Sequence, residues 1–186
     1  RLIGQRQGPW LRPEGRWVTV KPAELDEIRA QNESVLVASQ GTLGENEVFC
    51  RGILITGHWQ HDFVFSEHFL RIVSGDPEFP GAYLFAFLRS EAAFRIFRSM
   101  SAGSKQQDIH EVLRQQIPVP TCTVADRERI AETVRRAYRW RDEADQLEDQ
   151  AQELLDRAVR DAAGADLRQD GDLAHRPREA DGAGDG

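Results

Sequence analysis

The chain has 186 residues, of which 40% are apolar and 30% charged, and its formal net charge is -7. This suits one folded domain with an appendage. No apolar run approaches the roughly 18 to 20 residues that a membrane span needs, and Arg1-Leu2-Ile3-Gly4 lacks the charged-then-apolar plan of a signal peptide. Two cysteines, Cys50 and Cys122, exclude a disulfide framework and a four-cysteine zinc site, so a reducing cytoplasm is the expected compartment. A start at Arg, within a mixture of Gly, Pro and Arg, is expected of a piece of a longer polypeptide.

The net charge hides an uneven distribution. Residues 1–21 carry five basic groups against Glu14, and residues 79–100 carry Arg89, Arg95 and Arg98 against Glu91. The acid is concentrated later, with eleven acidic against eight basic residues over 121–163 and six against three over 164–186. Basic surface can therefore survive on the front part.

Up to Val73 the texture is short β-rich runs broken by turn residues: Trp17–Val20, Ser34–Ala38, Glu47–Cys50, Ile53–Ile55, Phe63–Phe65 and Phe69–Val73. Pro22 to Gln31 interrupts with a helical signature, Pro standing at the first helical position and Leu25 and Ile28 on one face. From Pro80 the period changes. Tyr83, Leu84, Phe87, Leu88, Phe94 and Phe97 recur at three and four, as helices require, until Gly103. A short helix is expected around Asp108 to Arg114. Gln116-Ile117-Pro118-Val119-Pro120 must be extended, because each proline pushes the residue before it out of the helical region, and it reads as a final strand.

Thr123 with Asp126 forms a capping box, and no Gly or Pro follows until Gly164, which predicts one long helix over 122–163. Its positions Trp140, Ala144, Leu147, Ala151, Leu154 and Ala158 alternate spacings of four and three, the seam of a coiled coil that wants a partner helix. Residues 164–186, dominated by Gly, Ala, Asp and Arg, are expected to be a disordered acidic tail. The expected fold class is α/β (α+β), a mixed twisted sheet with flanking helices over 1–121, then the long helix and the tail.

Two polar loops stand out. In Ser39-Gln40-Gly41-Thr42-Leu43-Gly44 the glycines allow close backbone approach while Ser39 and Thr42 offer hydroxyls to a phosphate; a glycine-rich hairpin turn explains the same residues equally well. Ser101-Ala102-Gly103-Ser104-Lys105-Gln106-Gln107 packs amides, hydroxyls, an ammonium and two carboxamides between helical segments, suited to a phosphate strand and an adenine edge, or simply a solvated connection. Cys50, His58, His61 and His68 match no standard zinc spacing, so a polar loop presenting Gln60 and His61 to a ligand is the better reading. Ser66 and His68 lack an orienting acid, and there is neither a Walker loop nor a Gly-x-Gly-x-x-Gly fingerprint. Chemistry is expected to belong to another chain.

In order, Val35–Gly44, Phe65–Ile72, Tyr83–Ser90, Ala102–Ile109, Ile117–Pro120 and Arg129-Ile130-Ala131 resemble the DNA specificity subunit of type I restriction-modification systems, specifically one target recognition domain with its spacer helix. The resemblance covers about residues 34–160. The family commonly has a glutamine in the first turn after its proline-rich strand, where this chain reads Thr123–Glu128, and its full subunit carries two recognition domains and two spacer helices, where one of each is visible here. The resemblance implies a non-catalytic targeting subunit that binds double-stranded DNA. It would direct DNA methyltransferase (modification) subunits and a restriction subunit, with S-adenosylmethionine and ATP bound on those partners and no cofactor in this chain. It also implies pairing of the long helix with a second recognition half or with another copy of itself. A helix from Thr123 to Asp161 would measure about 58 Å at 1.5 Å per residue, a stiff ruler between two half-sites.

The DNA-binding residues expected on this reading are Ser39, Gly41, Thr42, Ser104, Lys105, Gln106 and Gln107 around the two loops, with base reading by Arg51, Gln60 and His61. The competing expectation, supported by net charge, is a coiled-coil assembly adaptor whose front domain binds protein. A nuclease comes third because no spaced acidic and lysine constellation is present.

Overall fold

The structure is a computed structural model that describes residues 1–6, 8, 14–57, 59–103 and 106–173, the last eleven for their helical backbone alone. Its elements in chain order are β1 (Leu2–Ile3), α1 (Pro22–Ile28), β2 (Val35–Ala38), β3 (Gln40–Gly41), β4 (Gly52–Leu54), α2 (Trp59–Asp62), β5 (Val64–Phe65), β6 (Phe69–Ile72), α3 (Gly81–Leu88), α4 (Glu91–Ser99), β7 (Ser101–Ala102), β8 (Gln107–Ile109), α5 (Glu111–Arg114) and α6 (Val124–Leu173). The class is mixed α and β, but the strands form three small sheets instead of one. They are β1 parallel to β5, the antiparallel order β4-β2-β6, and the antiparallel order β3-β8-β7.

The β4-β2-β6 sheet is the scaffold because β2 is apolar on both faces. Val35 and Val37 enter one core with Leu54, Ala82, Phe85, Phe94, Phe97 and Ala131; Leu36 enters another with Ile3, Ile53, Ile55, Trp59 and Phe69. A strand covered on both faces reads as a continuous apolar run, which is what Val35-Leu36-Val37-Ala38 is. Burying each of these side chains contributes about 1.5 to 3 kcal/mol.

Several expected elements take another form. Glu47–Cys50 is a turn rather than a strand: Cys50 holds φ 67, off the extended region, and its N–H reaches Ala38 O at 2.8 Å while Ala38 N–H reaches Arg51 O at 3.0 Å. Trp17–Val20 forms no strand; next to it only an isolated bridge joins Leu2 and Arg16. Of the helix expected over Asp108–Arg114, Asp108 and Ile109 belong to β8 and the helix begins at Glu111. Residues 117–120 are without regular structure, since each proline lacks the N–H a ladder needs. The helical stretch from Pro80 is two helices, separated where Ser90 caps α4 by accepting a hydrogen bond from Ala93 N at 3.2 Å.

Compactness divides the chain into Arg1–Asp142 and Glu143–Gly186, a boundary inside α6 rather than before it. The first turns of α6 therefore belong to the front unit. Thr123 caps them, accepting from Asp126 N at 3.1 Å and donating to its carboxylate at 2.8 Å. Arg127, 5% exposed, donates to Glu78 O, Cys122 O and the Glu78 carboxylate at 2.6, 2.8 and 3.0 Å, and its guanidinium lies 4.2 Å from the Phe79 ring centre. Ala131 is fully buried, and Tyr138 meets Phe85 edge-to-face at 5.6 Å. Arg135 adds ion pairs to Glu33 and Glu128. In the second unit α6 continues through Gly164 to Leu173, ten residues past its expected end. Gly164 and Gly171 each cost a helix interior about 1 kcal/mol, and Ala165, Leu167, Arg168 and Gln169 between them are good helix formers. Residues 174–186 of the expected tail lie outside the described residues.

Candidate nucleic-acid interface

The two polar loops, more than sixty positions apart in the chain, are joined by strand pairing. β3 lies against β8 with Gln40 opposite Asp108 and Gly41 opposite Gln107. The pairing is possible because the chain turns sharply between β7 and β8 at Gly103, whose φ of 134 and whose lack of a Cβ admit the Gln106 carbonyl; a Cβ there would stand 2.2 Å from that oxygen. Gly41 likewise leaves room for Phe49, whose Cβ would be 3.1 Å from an added Cβ.

The result is an open cleft of about 840 Å³ lined by Gln5, Arg6, Gln40, Thr42, His68 and Gln106, with Gly41 and Phe49 also at its wall. Ser39 stands beside it and donates its hydroxyl to His68 O at 2.7 Å. Gln106 donates from Nε2 to Gln40 Oε1 at 3.3 Å, and Gln40 donates from Nε2 to Asp108 Oδ2 at 3.1 Å. Gln5 also carries a buried side-chain oxygen without a hydrogen-bond partner. Glu47 adds a carboxylate to the wall, and the carboxamides, histidine and arginine beside it offer both donors and acceptors, the mixture that base edges and phosphates require.

Of the expected site residues, Gly41, Thr42 and Gln106 meet at this cleft with Ser39 next to it. Ser104 and Lys105 lie outside the described residues. Gln107 turns inward. The burial of β8 alternates, leaving Asp108 exposed and Gln107 only 9% exposed, and the Gln107 carboxamide donates to Gly103 O at 2.7 Å to hold the turn. Gln40, Asp108, Gln5, Arg6 and His68 were not among the expected residues. Gln40 lay inside the glycine-rich loop, but its importance depends on a register that no local pattern reveals.

Arg51, Gln60 and His61 are elsewhere. Arg51 donates to Glu45 O at 2.7 Å and Arg98 donates to Gly44 O, and both guanidiniums stand 4.2 Å from the Phe94 ring centre, so together they fasten the turn between β3 and β4 to α4. Arg95 grips the Glu45 carboxylate at 2.8 and 3.2 Å, and that hydrogen-bonded guanidinium holds Glu45 below the usual carboxylate range. Arg51 and Arg98 thus hold the turn through main-chain carbonyls, and the Glu45 carboxylate lies close enough to feel both charges. A second cleft of about 360 Å³, lined by Arg51, Arg89, Asn46 and Phe94, opens beside them. Gln60 and His61 occupy α2, where Gln60 Nε2 donates to Gly57 O at 3.1 Å and His61 O accepts from Arg29 at 3.4 Å. Neither lines the Gln106 cleft.

The helix seam is exposed throughout. Trp140 in the first unit is 62% exposed; in the second, Leu147 is 58% and Leu154 62% exposed, and Ala144, Ala151 and Ala158 are exposed as well. Leu155 and Val159, 63% and 59% exposed, widen the stripe beyond the expected positions. Among the described residues no helix is long and apolar enough to cross a membrane and no cluster of His, Cys, Asp and Glu is arranged to hold a metal. No protein-family model matches the chain, and no curated protein is significantly similar to it in sequence.

Proposed function

We propose that this chain is a sequence-specific DNA-binding targeting subunit, or half-subunit, of a type I restriction-modification system. Its front unit acts as the target recognition domain, and it delivers modification and restriction subunits to their site without catalysing a reaction itself. The observation that carries this reading is the cleft: the two loops whose residue types suit phosphate and base contacts converge on one polar wall through the β3–β8 pairing. The exposed Leu147 and Leu154, alternating with Ala144, Ala151 and Ala158 along the stripe, support the pairing role of the helix. In an antiparallel arrangement with a second such helix, Ala144 would face Leu154 and Leu147 would face Ala151, so that each layer sets a large side chain against a small one. S-adenosylmethionine and ATP belong, on this reading, to the partners, and the complex works in the cytoplasm.

The charge of the front part favours a second reading. The first 120 residues hold 13 Lys or Arg against 14 Asp or Glu, so attraction to DNA must come from local clusters and not from the domain as a whole. A coiled-coil adaptor whose front unit binds protein would need no such clusters. Gel-shift with randomised duplex DNA in the presence of a modification subunit separates the two. A retained complex enriched in one sequence supports targeting, and a complex with the modification subunit that ignores DNA supports the adaptor.

A further inference from the structure

We propose that Gln106 reads the major-groove edge of one adenine, and that Asp108, acting through Gln40, fixes which way round the Gln106 carboxamide faces. This rests on the DNA-binding reading above and adds to it a base and a positioning device.

A carboxylate offers only acceptors, so the Gln40 atom 3.1 Å from Asp108 Oδ2 has to be the amide nitrogen. Gln40 Oε1 must then point the other way, toward Gln106. An oxygen there can only accept, so the Gln106 atom 3.3 Å from it has to be Nε2. The polarity of an exposed carboxamide, which in isolation can flip at little cost, is in this way set by a carboxylate two side chains away. The cross-strand register puts Gln40 and Asp108 directly opposite each other, and the Gly103 turn holds Gln106 just before β8.

With one N–H committed to Gln40, Gln106 retains Oε1 and its second N–H. An adenine presents an acceptor, N7, beside a donor, the N6 amine, in a fixed order along the groove. A carboxamide of fixed polarity matches that order in one orientation; reversed, it would set oxygen against N7 and N–H against the amine. Guanine shows two acceptors at the same edge and would leave the Gln106 oxygen facing one of them. Gln106 and Asp108 are exposed while Gln40 is half-buried, so the residue at the end of the relay is the one that can meet a ligand.

The test selects binding sites from a randomised duplex pool with the whole chain and with Gln106→Ala and Asp108→Asn, then compares affinities for the winning site and its single-base variants. Wild type should prefer adenine at one position by roughly ten-fold to a hundred-fold, as a good bidentate contact does. Gln106→Ala should erase the preference at that position alone. Asp108→Asn keeps the shape but can donate as well as accept, so Gln40 and Gln106 are free to sit either way round, and it should weaken the same preference while affinity for unrelated duplexes is kept. Equal melting temperatures for the three proteins show that folding is not what changed. If Gln106→Ala leaves every preference intact, or weakens all duplexes alike, Gln106 is not a base reader and this inference falls while DNA binding stands. If Asp108→Asn leaves the preference at wild-type strength, the relay falls. If wild type selects no sequence, the inference falls together with the DNA-binding reading.

Discussion

The β4-β2-β6 and β3-β8-β7 sheets are built by opposite means. The first has strands of three or four residues whose central member is buried on both faces, and its stability comes from apolar area. The second has strands of two or three residues, and polar contacts support it: Gln40 to Asp108, Gln106 to Gln40 and Gln107 to Gly103. A ladder this short cannot bury enough to stand alone, so it is carried on the first sheet by direct chain continuation from Ala38 through Ser39 to Gln40. The division teaches where function can reside. Polar side chains are free to meet a partner only where the fold does not need them buried.

The two sheets should respond differently to substitution. Leu36→Ala removes a fully buried side chain from the scaffold and should cost about 2 to 5 kcal/mol in denaturant unfolding, with loss of both sheets together. Leu147→Asp, outside both sheets, should leave the front unit folded yet weaken helix pairing by a few kcal/mol, as an unpaired charge in a seam does; sedimentation with and without a modification subunit reads it, and unchanged assembly would mean the exposed stripe is no interface. Gln107→Leu leaves Gly103 O unpaired behind the site and should cost on the order of 1 to 3 kcal/mol, so that a substitution in the polar sheet approaches a core substitution only where the side chain is buried.

The last effect, at Cys50, is confined to alkaline pH. Burial pushes its thiol up to about 12, so the folded protein keeps a proton that the unfolded chain releases near pH 9. Above that pH the unfolded state binds fewer protons, and stability should fall by on the order of 1 kcal/mol per pH unit until the folded thiol itself ionises. Cys50→Ala should remove that part of the alkaline slope. In the native protein near pH 8, an alkylating reagent should modify the exposed Cys122 and spare Cys50, because the thiolate is the nucleophile.

The same contrast decides what could be read from the sequence. β2 and β6 were legible because apolar, β-branched and aromatic residues mark them locally, and the capping box at Thr123 and the run without Gly or Pro mark the long helix. β3, β7 and β8 carry no such mark. Asp108 and Ile109 read as the start of a helix because their strand character comes from pairing, with β7 across the Gly103 turn and with β3 far away in sequence, which overrides local preference. Glu47–Cys50 has a strand's composition, but Arg51 and Arg98 fasten Gly44 and Glu45 just before it, and Cys50 at φ 67 leaves the extended region. For the site, residue type pointed to Gly41, Thr42 and Gln106. It could not show that Gln107 faces inward, nor that Gln40 and Asp108 stand opposite each other, since a shift of one residue in register exchanges the faces.

The central claim is that the cleft beside the β3-β8-β7 sheet meets duplex DNA and distinguishes sequences. The most direct measurement is the affinity of the whole chain for a duplex selected from a random pool against a scrambled duplex of equal length and composition, across a range of salt concentrations. The account predicts tighter binding to the selected duplex by about three orders of magnitude or more, with both affinities falling as salt rises because basic side chains displace counterions from phosphates. Equal affinity for the two duplexes, or no binding at low salt, would contradict it.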